Sequence, residues 1–356
     1  MMQVRTGTRR IGHGAPAYFI ADIASNHDGD LERAKELIRL AAGAGADAAK
    51  FQSFRAEKIV SDYGFSHLGT QVSHQASWKK PVFQVYQEAS VPWGWMRELR
   101  AECDRAGIDF FSTPYDLEAV EMLDPLVEIF KIGSGDITWP ELLRAVAAKG
   151  KPVILSTGAS ELGEVREAVR IIAGINPRIC LLQCNTNYTG SRENLRHINL
   201  NVLRTYQALF PDAIPGLSDH TGGHLTVLGA VALGAKVIEK HFTDDDSREG
   251  PDHRFSITPG AWRAMVGETR ELEAALGSTE KIVEENEQET AVIQRRCIRA
   301  ARPLAAGTTL LRGDLEMLRP APPDSIPPSR VEEVIGKRIR SPLVRGDYLR
   351  WSGLEP

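Results

Sequence analysis

At 356 residues, 42% hydrophobic and 25% charged, the chain has the makeup of a folded globular protein and exceeds one ordinary domain. A net charge of −4 lacks the basic footprint of a nucleic-acid binder, and no run reaches the ~18 apolar residues of a membrane span. Four scattered cysteines (Cys103, Cys180, Cys184 and Cys297) argue against a disulfide framework and read as buried thiols. The opening stretch MMQVRTGTRRIGHG has no apolar core of a signal peptide, so a soluble, cytoplasmic protein is expected.

In chain order, β-rich runs recur at 17–25 (AYFIADIAS), 48–54, 108–115, 129–134, 152–158, 178–185, 213–220 and 237–242 (VIEKHF). Helical segments such as LERAKELIRLAAGAGA and WPELLRAVAAKG separate most of them, with Gly near their ends. Eight βα units in about 240 residues predict an α/β fold, a (β/α)8 TIM barrel, over residues 1–278. No Gly-rich dinucleotide fingerprint follows the first run, where IADIASNHDGD stands. The polar stretch 279–293 predicts a linker or exposed helix. Residues 294–356 are Pro- and Gly-rich and basic, and predict a small β-rich domain.

Barrels of this kind work at the C-terminal ends of their strands, so the residues ending each run matter most. Lys50 and Lys131 fall inside runs, where a lysine needs a partner; an anionic phosphate and a structural ion pair both answer. His220 and His241 end consecutive runs, 21 residues apart, the length of one α-then-β unit. Two such imidazoles can share a divalent metal, or can be hydrogen-bonded core histidines. Glu239 is a candidate partner for that pair, Asp244–Asp246 read as a solvated acidic turn, and Arg248 and His253 as loop charges.

Together IADIASNHDGD, AAKFQSF, FFSTPYD, FKIGSGD, PVILSTGAS, GLSDHT and VIEKHFTDDDSREGPDHRFS resemble the sialic acid synthase (NeuB) family, and the C-terminal region resembles its SAF, or antifreeze-like, β-clip domain. The resemblance implies a metal-dependent condensation of phosphoenolpyruvate (PEP) with an N-acylated amino sugar, giving a nonulosonic acid and phosphate. It implies that Lys50, Thr113, Lys131, Ser134, Ser156 and Ser218 hold PEP, with Tyr188 placing both substrates. It implies Mn2+, or Mg2+ or Co2+, on His220 and His241. Gln52, Tyr188, Asp252 and Arg319 would meet the acceptor, with Arg319 reaching a neighbouring barrel in a domain-swapped homodimer. Asp22 and Asp136 would serve proton transfer or hydroxyl recognition, with Lys50 and Lys131 as electrostatic clamps.

Several positions depart from the family pattern. Asp22 and Asp136 stand where Glu is usual, Thr186 where Asn is expected, and Ala321-Pro322-Pro323 where Gly-Asn-Gly is usual. The stretch SHQASWKKPVFQVYQ (73–87) does not match the family's sugar-contacting loop. An acceptor other than N-acetylmannosamine is therefore expected. The rival readings are a barrel synthase acting on a sugar phosphate, a Schiff-base aldolase using Lys50 or Lys131, and a non-catalytic carbohydrate-binding protein.

Overall fold

A computed structural model describes residues 2–7, 9–69 and 74–355, so Ser73, which opens the 73–87 stretch, lies outside the described residues. The chain divides into two compact units, Met1–Gly277 and Ser278–Pro356.

The first unit opens with a two-stranded antiparallel hairpin, β1 (Gln3–Thr6) and β2 (Arg9–Gly12). Eight parallel strands follow: β3 (Tyr18–Asp22), β4 (Ala48–Ser53), β5 (Asp109–Pro114), β6 (Phe130–Ile132), β7 (Val153–Ser156), β8 (Ile179–Cys184), β9 (Ile214–Asp219) and β10 (Val237–His241). Their order, β5-β4-β3-β10-β9-β8-β7-β6, with β6 lying beside β5, makes a nearly closed barrel. Each predicted run supplies one strand. Parallel strands covered on both faces read as unbroken apolar runs, and β3, β8 and β10 are buried at every position.

The surrounding helices follow from their sequences. Leu31–Gly43 starts at Asp30, whose carboxylate accepts from the backbone N–H of Glu32 and Arg33, and it buries Ala34, Leu37, Ile38 and Ala41. Pro259–Leu276 begins with proline at its first turn and buries Trp262 against Phe19 and Phe242. The core has two layers. Phe19, Phe51, Phe130 and Ile238 pack outward beneath the helices, whereas Tyr18, Ile20, Phe111, Ile154, Leu182 and Val237 fill the barrel interior.

Sequence reasoning missed the opening hairpin. Its Val4 and Ile11 join the interior cluster beside Tyr18, Ile129 and Val237, all from the starts of barrel strands or just before them. The hairpin therefore packs against the N-terminal end of the barrel. Strand register does the rest at the other end: Asp22 pairs with Lys50 on one side and His241 on the other. Glu239 lies level with Ser218, and Ser218 with Cys184.

In the second unit Gln288–Gln294 is helical, and β11 (Cys297–Ala300) pairs antiparallel with β12 (Leu315–Leu318). Ile298, Leu310, Ile326, Val334, Ile339 and Leu349 form its own core. All four cysteines are free and buried. Among the described residues no helix is long and apolar enough to cross a membrane.

Candidate active site

A cavity of about 390 Å³ opens at the C-terminal ends of the barrel strands. It gathers every site residue expected in the barrel: Asp22, Lys50, Gln52, Thr113, Lys131, Ser134, Asp136, Ser156, Tyr188, Ser218, His220, His241 and Asp252. Arg319 belongs to the second unit, just after β12. Thr186 lines a neighbouring depression instead of this cavity, packed so closely on Gly158 that a Cβ there would lie 2.4 Å from its methyl carbon.

The cavity floor is a buried charge cluster. Asp22, Lys50, Lys131 and Glu239 are each 3% exposed. Lys50 Nζ lies 2.7 Å from Asp22 Oδ2 and 3.0 Å from Glu239 Oε1. Lys131 Nζ lies 3.4 Å from Glu239 Oε2 and donates to the Ile132 carbonyl at 3.0 Å. Glu239 thus bridges two lysines, and it also lies within electrostatic reach of His220 and His241. Burial works against the Lys50 charge, yet Asp22 and Glu239 more than offset it and hold the ammonium protonated. The same opposition, burial against two ammonium groups, leaves Glu239 ionised. For Lys131 burial wins and its pKa is lowered, with Glu239 opposing and Lys50 adding to the shift.

Several buried polar atoms facing this cavity have no hydrogen-bond partner: Asp136 Oδ2, Ser156 Oγ and His241 Nδ1. Proteins leave few such atoms unsatisfied, and a group of them in one cavity marks a place built for a polar ligand. Burial pushes the Asp136 carboxyl up to about 6, with Lys131 opposing. Burial also raises the Cys184 thiol to about 11, which keeps it protonated and unreactive.

The two histidines meet at the rim with ring centroids 5.3 Å apart, and Tyr188 and Phe255 set their ring edges around them. His220 Nδ1 lies 2.9 Å from the Asn185 carbonyl, which can only accept, so Nε2 is left as the lone-pair nitrogen. Burial and the neighbouring His241 lower the His220 pKa to about 3, which keeps the imidazole neutral, as a metal ligand must be. Together with the unpartnered His241 Nδ1, this donor set fits a divalent ion. Among the described residues no group of three His, Cys, Asp or Glu side chains could hold a metal by itself, so further ligands would come from substrate or water.

Loop contacts place the remaining acidic group. Asp252 Oδ2 accepts from Ser25 Oγ at 2.6 Å and from the Ser25 backbone N–H at 3.1 Å. The turn carrying Ser25 puts Ala24 at φ +45°, a left-handed conformation uncommon for a residue with a Cβ. Around it, the two residues read as loop charges prove to be ties between the loops after β3 and β10, and one residue of the acidic turn is paired as well. His253 is buried and joins Thr243 Oγ1 at 2.7 Å to Asp28 Oδ1 at 2.9 Å. Arg248 donates to Asp28, and Arg33 grips Asp244 with two bonds of 2.8 and 2.6 Å, so Asp244 is a paired residue of the acidic turn.

These features can be set beside known proteins. The NeuB family model matches residues 37–281, and the SAF domain model matches residues 295–355. The chain belongs to the NeuB family. It is 36% identical over 325 residues to the N,N'-diacetyllegionaminic acid synthase of Campylobacter jejuni, spanning 89% of this chain and 94% of that one. It is 34% identical to the human N-acetylneuraminate-9-phosphate synthase, spanning 93% and 90%. The solved N-acetylneuraminic acid synthetase of Leptospira borgpetersenii superposes with a TM-score of 0.71 at 31% identity, covering 81% of this chain and 95% of that one. This NeuB-family chain is accordingly an enzyme, a carbon–carbon bond-forming synthase with a C-terminal SAF domain.

Proposed function

We propose that this synthase condenses PEP with the aldehyde of an N-acylated amino sugar, giving a nonulosonic 3-deoxy-2-keto acid and phosphate, as a cytoplasmic homodimer. The observation that carries this reading is the cavity floor, where two lysines with 3% exposure sit among unsatisfied polar atoms. Lys50 and Lys131 clamp the phosphate and carboxylate of PEP, supported by the hydroxyls of Thr113, Ser134, Ser156 and Ser218, and by Tyr188. The enol C3 attacks the aldehyde carbon, water adds at C2, and the C2–O bond to phosphate breaks. When bound by His220 and His241, a divalent ion, Mn2+ by preference, supplies Lewis-acid stabilisation of the charge developing on the aldehyde oxygen. Gln52 and Asp252, with Arg319 of a neighbouring subunit, orient the acceptor.

Asp136 Oδ2 takes the proton from the adding water, which requires the carboxylate form. Because burial raises this pKa to about 6, kcat/KM is expected to fall as pH drops through that value. Asp136→Asn should remove this acid limb along with most of the rate, and a limb that survives the substitution would assign it to another group. Ser25 fixes one oxygen of Asp252 and leaves the other for the acceptor. Ser25→Ala should raise the acceptor KM by about tenfold, the worth of one hydrogen bond to a charged group, with the KM for PEP within twofold. A parallel rise in both KM values would show a general loosening of the cavity.

Asp22 and Asp136, each one methylene shorter than the usual Glu, leave room on the acceptor side. Of the three similar proteins named above, one is an N,N'-diacetyllegionaminic acid synthase. The favoured acceptor is therefore a di-N-acylated deoxysugar. Phosphate release from PEP with Mn2+, measured against N-acetylmannosamine and 2,4-diacetamido-trideoxyhexoses with mass analysis of the products, tests it. N-acetylmannosamine as the best substrate by a wide margin would overturn the acceptor assignment.

A further inference from the structure

Beyond the charged floor the cavity changes character, and its outer wall is aromatic. Among its described residues, the segment between β4 and the helix Met96–Ala106 holds three short α-helices, Ala56–Ile59, Asp62–His67 and Val82–Ala89. The third presents Val85, Tyr86 and Ala89 to the cavity. The Trp78 and Tyr86 rings lie 6.2 Å apart, Tyr86 and Phe54 5.4 Å, and Phe54 and Tyr115 5.9 Å. A row of rings therefore runs outward from Tyr115.

Strand geometry fixes what each level of the cavity meets. Side chains two apart along a strand share a face and are separated by about 7 Å. Lys50, Gln52 and Phe54 all line the cavity, so moving out along β4 and one residue past its end one passes a cation, an amide and then a phenyl ring. The two lysine side chains that line the cavity, Lys50 and Lys131, are both on the floor, and no arginine is among the described lining residues. Residues 70–73 of the same segment are Thr, Gln, Val and Ser, which add no positive charge. The Tyr86 hydroxyl already accepts from Gln75 Nε2 at 3.4 Å. A phosphate or hydroxyl held against these rings would thus be desolvated with no cation among the described lining residues beside it. An apolar group would gain contact there.

We propose that Phe54, Trp78, Val85 and Tyr86 form an apolar subsite for a methyl group at the acceptor's distal carbon, selecting 6-deoxy sugars over 6-hydroxy and 6-phospho sugars. This rests on the synthase reading and names the residues that set its substrate class. Discrimination by a pocket for one methyl group is about tenfold at its lower end.

The test compares kcat/KM for N-acetylmannosamine and its 6-deoxy analogue at saturating PEP and Mn2+. The wild-type enzyme should prefer the 6-deoxy sugar about tenfold. Trp78→Ala and Val85→Asn should erase that preference by weakening the 6-deoxy sugar alone, with the KM for PEP within twofold, and Val85→Leu should retain it. Preference for the 6-hydroxy sugar, or equal losses on both sugars, would overturn the proposal. If neither of these sugars nor a 2,4-diacetamido-trideoxyhexose releases phosphate, the synthase reading has failed; whenever neither sugar of the pair is turned over, saturation-transfer NMR on the 6-deoxy sugar judges the subsite separately. Strongest saturation at the C6 methyl, lost in Trp78→Ala, would uphold it; even or absent saturation would overturn it.

Discussion

Lys131→Ala is expected to lower kcat/KM for PEP by about 10²–10³-fold, the usual consequence of deleting one preorganised group that stabilises anionic charge in a water-poor site. The lysine is 3% exposed at the middle of β6, and its neighbours are Glu239 Oε2 at 3.4 Å and one backbone carbonyl at 3.0 Å. Its charge is therefore only partly answered within the protein. Lys50, by contrast, already carries two carboxylates at 2.7 and 3.0 Å. The asymmetry makes Lys131 the stronger clamp for an incoming anion. Glu239 keeps its closer contact with Lys50 in the variant, so the fold should persist, and Lys131→Met checks this by retaining the apolar stem. Lysine acting as an amine nucleophile would leave a borohydride-trapped adduct with PEP or the acceptor; none is expected from a clamp. Unchanged kinetics for PEP would remove Lys131 from the reaction.

Asp219→Ala is expected to destabilise the barrel by ~3–5 kcal/mol, because it strands a buried lysine. The side chains of Lys240 and Asp219 are 1% and 0% exposed. Asp219 Oδ2 also accepts from Thr226 Oγ1 at 2.8 Å and Thr221 Oγ1 at 3.0 Å, and Lys240 donates to the Thr221 carbonyl at 2.7 Å. Burial alone would raise the Asp219 pKa, but the ammonium and these hydrogen bonds reverse the shift and lower it. A folded pKa below the unfolded value means that the stabilisation is complete at neutral pH and is lost as pH falls through the folded value. Denaturant titration of wild type and variant at neutral and acidic pH measures both effects. Replacing the pair together, Asp219→Leu with Lys240→Met, should recover much of the loss, since no buried charge remains unpaired.

The barrel was legible because its strands are largely apolar runs, several of which end in ionisable residues, as VIEKHF and GLSDH do. What the runs do not announce is which way each residue faces. Alternation puts Ser218 and Glu239 on the cavity side and turns Asp219 and Lys240 away from it, where they pair. A strict period-2 count along β9 and β10 would have separated the site residues from this structural pair. The position of Glu239 between Lys50 and Lys131 had no local signal, because β4, β6 and β10 are not neighbours and only closure of the barrel brings them together. The ties of Asp28 to Arg248 and His253 join residues 220 and 225 positions apart, beyond the reach of any short motif. The opening hairpin was missed because its two four-residue strands carry few apolar residues, Val4 and Ile11 among them, beside several arginines.

PEP labelled with 18O in its C–O–P bridge follows the chemistry assigned to the two-lysine floor most directly. With Mn2+ and a di-N-acylated deoxysugar acceptor, the label should appear in the released phosphate, and the organic product should have the combined mass of PEP, acceptor and water less phosphate. Label retained in the keto acid, or phosphate released without a larger carbon skeleton, would contradict the account.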